Sequence, residues 1–158
     1  MLDELFLGAV QLRVGYADAD HPPAIQAFWQ GHRIGELAVT KGAPVHERLR
    51  GYWVITHVDV TVDFRRRGVS AKMRAEALRI ACAEGKTLVS DTVRSGFEAA
   101  FWEDLRTKGQ VDILDLRTGQ LGNVYDDDGT AEQDDEEAMY EQQDYDYVYV
   151  MRCPNVAR

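Results

Sequence analysis

One run of sequence, YWVITHVDVTVDFRRRGVSAKMRAEALRIACAEG from Tyr52 to Gly85, leaves few folds open to this chain. Its first eleven residues alternate in character. Val54, Val58, Val60 and Val62 fall on one side and His57, Asp59 and Thr61 on the other, as in a β-strand. From Ser70, a candidate N-cap, the apolar spacing changes to three and four through Met73, Ala77, Ile80 and Ala81, which predicts a helix stopping near Gly85. Between the two stand Arg65, Arg66, Arg67 and Gly68. A helix N-terminus already presents unpaired N–H groups and a partial positive charge. Three further cations at that point make sense if an anion is held there. A strand end, a glycine and a helix start together form such a site, with Arg65, Arg66, Arg67 and Lys72 available for charge-assisted bonds to phosphate. The plainer reading is a solvated turn in an acidic protein.

The flanking sequence sets this unit in a mixed α/β domain. Gln11 to Ala17 reads as a strand. AIQAFWQ and RIGELAVT, joined at Gly31-His32, read as a hairpin. Downstream, Thr87 to Ser90 reads as a short buried strand, and a second helix opens at Asp91 or Ser95 and carries Phe97, Phe101, Trp102 and Leu105. Val111 to Leu116 and Tyr145 to Arg152 are the last strands, and Met1 to Leu7 is a helical turn or a loose end. A strand–helix–strand unit places its strands parallel.

With 158 residues the chain makes one domain, 1–158. No apolar run approaches the roughly 18 residues of a membrane span, and MLDELFLGAV, acidic at its start, does not read as a signal peptide. Cys82 and Cys153 lack metal-site spacing. Cys82 falls on an apolar helix face and reads as core, so cytoplasm is the expected compartment, although one disulfide is formally open. The net charge of −9 is concentrated in an acidic loop, 126–144, expected to be flexible, which either is simply solvated or draws a basic partner. That balance argues against a dedicated nucleic-acid binder, whose phosphate contacts need a basic face.

The strand, arginine turn and helix resemble the GCN5-related N-acetyltransferases (GNAT family). Their signature at this junction is Gln/Arg-x-x-Gly-x-Gly/Ala. Here it reads Arg65-Arg66-Arg67-Gly68-Val69-Ser70, with Ser70 in place of Gly or Ala. The hairpin residues Gly31-His32-Arg33-Ile34-Gly35 and the segment Thr87 to Gly109 are similar to the family as well. The resemblance spans roughly residues 11–116, and the last strand more loosely. It implies a GNAT-like mixed, strongly twisted central sheet with helices packed on its faces and reduced N-terminal helices. It also implies acetyl-CoA as co-substrate, bound by Val60, Arg65, Arg66, Arg67, Gly68, Val69, Ser70 and Ala71, with Val60 facing the pantetheine arm.

The reaction implied is transfer of an acetyl group to an amine by direct attack on the thioester. His57 and Asp59 are the candidate bases, with Glu36 a further one. Only about a dozen residues around DADHPP fill the space where many relatives carry helices, so the acceptor cleft should be open, or be finished by another subunit or by the acidic loop; an open cleft suits large acceptors such as a protein. Trp102 falls where many relatives place a tyrosine that protonates the leaving thiolate, and indole cannot do that. Tyr145, Tyr147 and Tyr149 are alternative acids. As exposed aromatics on the last strand they also suggest homodimer pairing across a sheet edge. Two other readings stay open: a non-catalytic module of this fold that binds CoA or a partner protein, and, against the acidic balance, a phage-type nucleic-acid base-modifying enzyme.

Overall fold

A computed structural model describes residues 2–123 and 142–154. A short helix α1 (Leu2–Ala9) leads into strands β1 (Gln11–Gly15), β2 (Ala24–Trp29) and β3 (His32–Lys41). The long strand β4 (Tyr52–Val60) and helix α2 (Val69–Ala83) follow, then β5 (Thr87–Ser90), β6 (Val93–Ser95) and helix α3 (Gly96–Thr107). The remaining strands are β7 (Val111–Asp115), β8 (Leu121–Gly122), β9 (Gln142–Asp144) and β10 (Tyr147–Met151). Eight strands form one sheet in the order β1-β2-β3-β4-β5-β10-β7-β8, while β6 and β9 pair separately. All pairings are antiparallel except β4 with β5, the two strands that α2 connects.

Alternate residues of the strands point to opposite faces, and each face carries its own apolar cluster. Ile55 and Val60 of β4 join Leu37, Met73, Ala77, Ile80, Leu88 and Trp102 in the larger core cluster, to which all three helices contribute. Val54 points the other way and packs with Val89, Leu114, Val148 and Leu49. The connection after β3 supplies Leu49 from a single 3-10 turn, Glu47–Leu49, capped by the His46 side chain.

Several sequence expectations shift in detail. The hairpin turn is Gln30-Gly31, not Gly31-His32. A two-residue turn matching the strand twist needs positive φ at both central positions, and these residues adopt φ 50° and 79° while His32 already pairs with Trp29. The cap of α2 is Gly68, not Ser70, which lies inside the helix. Helix α3 starts at Ser95, whose side chain and that of Glu98 form a reciprocal capping box. The acidic loop expected over 126–144 lies outside the described residues up to 141, and its last three residues are strand β9. Strand β10 is flanked by β5 and β7, and Tyr149 is 2% exposed. The edge-pairing argument for a homodimer therefore fails, since an interior strand has no free hydrogen-bonding edge. No described helix is long and apolar enough to cross a membrane.

Cys82 is not a core thiol. Half-buried near the end of α2, it is disulfide-bonded to Cys153, just past β10, with the two Cα atoms 5.8 Å apart. The bond ties the last strand to the helix across a sequence separation of 71. By loop-closure entropy such a cross-link contributes about 4 kcal/mol. Cys82→Ser, Cys153→Ser and reduced wild-type protein should therefore share a lowered thermal midpoint. Two titratable thiols in unreduced protein, with no midpoint change in the variants, would contradict the bond.

Candidate active site

Strand β4 carries the geometry on which the site rests. Ala38 pairs with His57 and Val39 with Ile55, so Thr56 is an extra residue with no partner on β3, a β-bulge. Pairing between β4 and β5 stops at Ile55 opposite Ser90, immediately before the bulge. Beyond it the two strands part, and the gap is an open cleft of about 190 Å³ lined by Thr56, His57, Val58, Asp91, Val93 and Glu98.

The backbone of β4 is left partly unpaired there. Thr61 N–H donates to Ile34 O at 2.8 Å, so it points toward β3. Alternation along an antiparallel strand directs the N–H and C=O of Val60 and Val58 to the opposite, open side. Arg65 confirms that direction for Val60, because its Nε donates to Val60 O at 2.7 Å.

The turn after β4 leads into α2 through two left-handed residues, Arg66 at φ 61° and Gly68 at φ 89°. A Cβ at position 68 would also lie 2.8 Å from Leu7 Cδ1, so a larger residue there must displace that side chain. Among the described residues no protein acceptor takes the N–H groups of Arg66, Gly68, Val69, Ser70 or Ala71. Unpaired N–H groups at the positive end of a helix are the donors that an anion cradle requires.

The basic side chains divide their roles more sharply than the sequence suggested. Arg66 is exposed, whereas Arg65 holds Val60 O and lies 3.7 Å from Asp59. Arg67 stacks over Phe6 at 3.8 Å. Lys72 does not face the cradle: its Nζ donates to Leu7 O and Val10 O, satisfying the carbonyl end of α1. Sequence gave no hint of this, because the partner is backbone more than sixty residues away.

His57 and Asp59 lie on one exposed face of β4, as alternation predicts, but only His57 lines the cleft. Its Nε2 is 3.0 Å from Glu36 Oε1 on β3, and Glu36 also lies 3.9 Å from Arg33. Asp59 faces Arg65. Sequence reading missed Asp91 and Glu98, which reach the cleft from the end of β5 and the first turn of α3. Only the parting of β4 from β5 brings them there.

Trp102 is 2% exposed and lies parallel to the Tyr149 ring, with centroids 5.9 Å apart. Arg74, buried against Phe101 and Trp102, has its guanidinium pKa lowered to about 10 by burial. Tyr149 Oη donates to Glu103 Oε2 at 3.0 Å. Burial raises its phenol well above the ordinary range, and Tyr147 and the Glu103 carboxylate add to the effect. Neither ring can give a proton to a leaving group, so Tyr149 is removed as a candidate acid.

The chain matches no protein-family model and no curated protein at the level of sequence. Solved structures do match. The ribosomal-protein-S18-alanine N-acetyltransferase from Escherichia coli is 9% identical with a TM-score of 0.53, over 94% of this chain and 96% of that one. A GNAT family acetyltransferase from Elizabethkingia anophelis with acetyl-CoA bound is 11% identical with a TM-score of 0.51, over 90% and 96%. The fold is that of the GNAT acetyltransferases. A Bacillus anthracis protein crystallised with acetyl coenzyme A is 14% identical with a TM-score of 0.51 over 87% of this chain, which spans 66% of that structure's length. At these identities the likeness concerns the GNAT fold, and the chemistry must be argued from this chain's own residues.

Trp102 is therefore core rather than machinery. Trp102→Ala should cost about 3–5 kcal/mol of unfolding free energy, and Trp102→Phe much less, both read by urea denaturation. A near-neutral alanine variant would show that the Tyr149 stack does not hold α3 to the sheet.

Proposed function

We propose that the chain is an acetyl-CoA-dependent N-acyltransferase, in which an amine attacks the thioester directly. The observation that carries this reading is a pair of unpaired backbone donor sets on one chain path. One is the open side of β4 beyond the Thr56 bulge, at Val58 and Val60, and the other is the turn at the start of α2. A pantetheine arm needs hydrogen bonds along its amides, and a pyrophosphate needs N–H groups and a helix N-terminus. Val58 and Val60 would supply the first; Arg66, Gly68, Val69, Ser70 and Ala71 the second, with Arg66 adding charge. Arg65 and Arg67 would shape the turn through Val60 O and Phe6.

His57 is the proposed base, since of His57 and Asp59 it alone lines the cleft, and Glu36 orients its ring through the contact to Nε2. An N–H on the open side of β4 would polarise the thioester carbonyl. The CoA sulfur would leave as a thiolate without a side-chain acid, which a thiol pKa near 8–9 permits.

The connection from β1 to β2 carries no helix, so the His57 face of the sheet stays open to a large acceptor such as a protein. The buried Trp102 favours one competitor, a GNAT-fold module that binds CoA without catalysis. A cytoplasmic site of action would hold Cys82 and Cys153 as thiols.

Calorimetric titration with acetyl-CoA, paired with a thiol-release assay, tests the reading. Wild type should bind, Gly68→Asp should weaken binding at least tenfold, and His57→Ala should keep binding while turnover falls about 10²–10⁴-fold. Binding unchanged by Gly68→Asp would overturn the proposed cradle. Binding with no turnover across an amine panel would favour the non-catalytic module.

A further inference from the structure

The cleft contains three ionisable side chains, His57, Asp91 and Glu98. His57 meets Glu36. Glu98 is the third residue of α3; its Oε1 accepts from the N–H and hydroxyl of Ser95, both at 3.4 Å, within the capping box of that helix. Asp91 follows β5 on the facing wall. Its Oδ1 accepts from Thr92 N–H at 2.7 Å, with Thr92 Oγ1 and Val93 N–H each at 3.5 Å. Its Oδ2 accepts no hydrogen bond from any described residue, although Asp91 is half-buried and lines the cleft.

The nearby cation, Arg94, acts on it through its charge but makes no hydrogen bond to its carboxylate. Arg94 is fully buried, directs Nη1 to Asp91 O, Tyr147 O and Ser90 Oγ, and stacks among Tyr145, Tyr147 and Tyr149. It forms no ion pair with the Asp91 carboxylate among the described residues. Instead it fixes the backbone that carries Asp91. Burial pushes the Asp91 carboxyl pKa up, the mark of a charge without full compensation.

We propose that Asp91 is the specificity residue of the acceptor site: its Oδ2 binds a second cationic group on the acceptor, so the preferred substrates are diamines and polyamines. This rests on the acyltransferase reading above. His57 on the β4 wall serves the reacting amine, and Asp91 on the β5 wall holds the other ammonium by a charge-assisted hydrogen bond. The net charge of −9 draws such polycations toward the protein.

Asp91→Asn is the appropriate variant. Its amide oxygen can still accept from Thr92 N–H, while the atom facing the cleft becomes a donor that repels an ammonium. The measurement is kcat/KM for 1,5-diaminopentane against pentylamine, with acetyl-CoA binding followed separately by calorimetry. Wild type should prefer the diamine at least tenfold, through KM, and Asp91→Asn should bring the ratio near one with acetyl-CoA binding unchanged. Asp91→Glu, which keeps the charge, should retain part of the preference if the asparagine variant proves unstable. Equal use of both amines by wild type, or a preference that survives in Asp91→Asn, overturns the proposal. Intact acetyl-CoA binding with no turnover of either amine overturns the acceptor class alone; loss of acetyl-CoA binding in wild type overturns the acyltransferase reading as well.

Discussion

The register break at Thr56 is the constraint on which the rest of the site depends. One extra residue on β4 shifts its pairing with β3 at the point where its pairing with β5 ends. A bulge bends its strand and increases local twist, so β4 turns away from β5 instead of continuing beside it. That opens the cleft, frees the outward N–H groups of Val58 and Val60, and brings Asp91 and Glu98 to its far wall. The same strand then delivers the chain to Arg66 and Gly68, where left-handed geometry turns it into α2. The cleft and the cradle are thus consecutive results of one backbone path.

The middle of this path was legible in the sequence because it is local. A period of two, then arginines and a glycine, then a period near three and a half identify strand, turn and helix over Tyr52–Gly85 without any long-range information. The placement of His57 opposite Val58 and Val60 followed from the same alternation. The bulge was not legible, since Thr56 is an ordinary β-branched residue and its status depends on what Ala38 and Val39 pair with. Lys72 was misassigned for a related reason: its charge suggested phosphate, but the carbonyl end of α1 takes it first. The tyrosines of β10 read as edge residues because sequence position gives no information on where a strand inserts, and this one lies between β5 and β7. Cys82 sits on a partly apolar helix surface, but its pairing is fixed by where β10 ends.

Two features distinguish this chain's face of the sheet. The β1–β2 connection adds no helix over His57, Glu36 and Asp59, so these groups stay more than a third exposed. The aromatic layer on the other face is closed, with Trp102 flat against Tyr149 and Arg74 packed over Phe101. The exposed ionisable groups are accordingly on the wall of the cleft and the strand surface beside it, and the helix layer packs against β4, β5 and β10.

Amide hydrogen exchange with and without acetyl-CoA tests the central claim most directly, because it reads the backbone donors themselves. Added ligand should protect Val58, Val60 and Arg66 to Ala71 and leave the β1–β2 hairpin unchanged. Saturable binding that protects amides elsewhere while leaving these untouched would contradict the account.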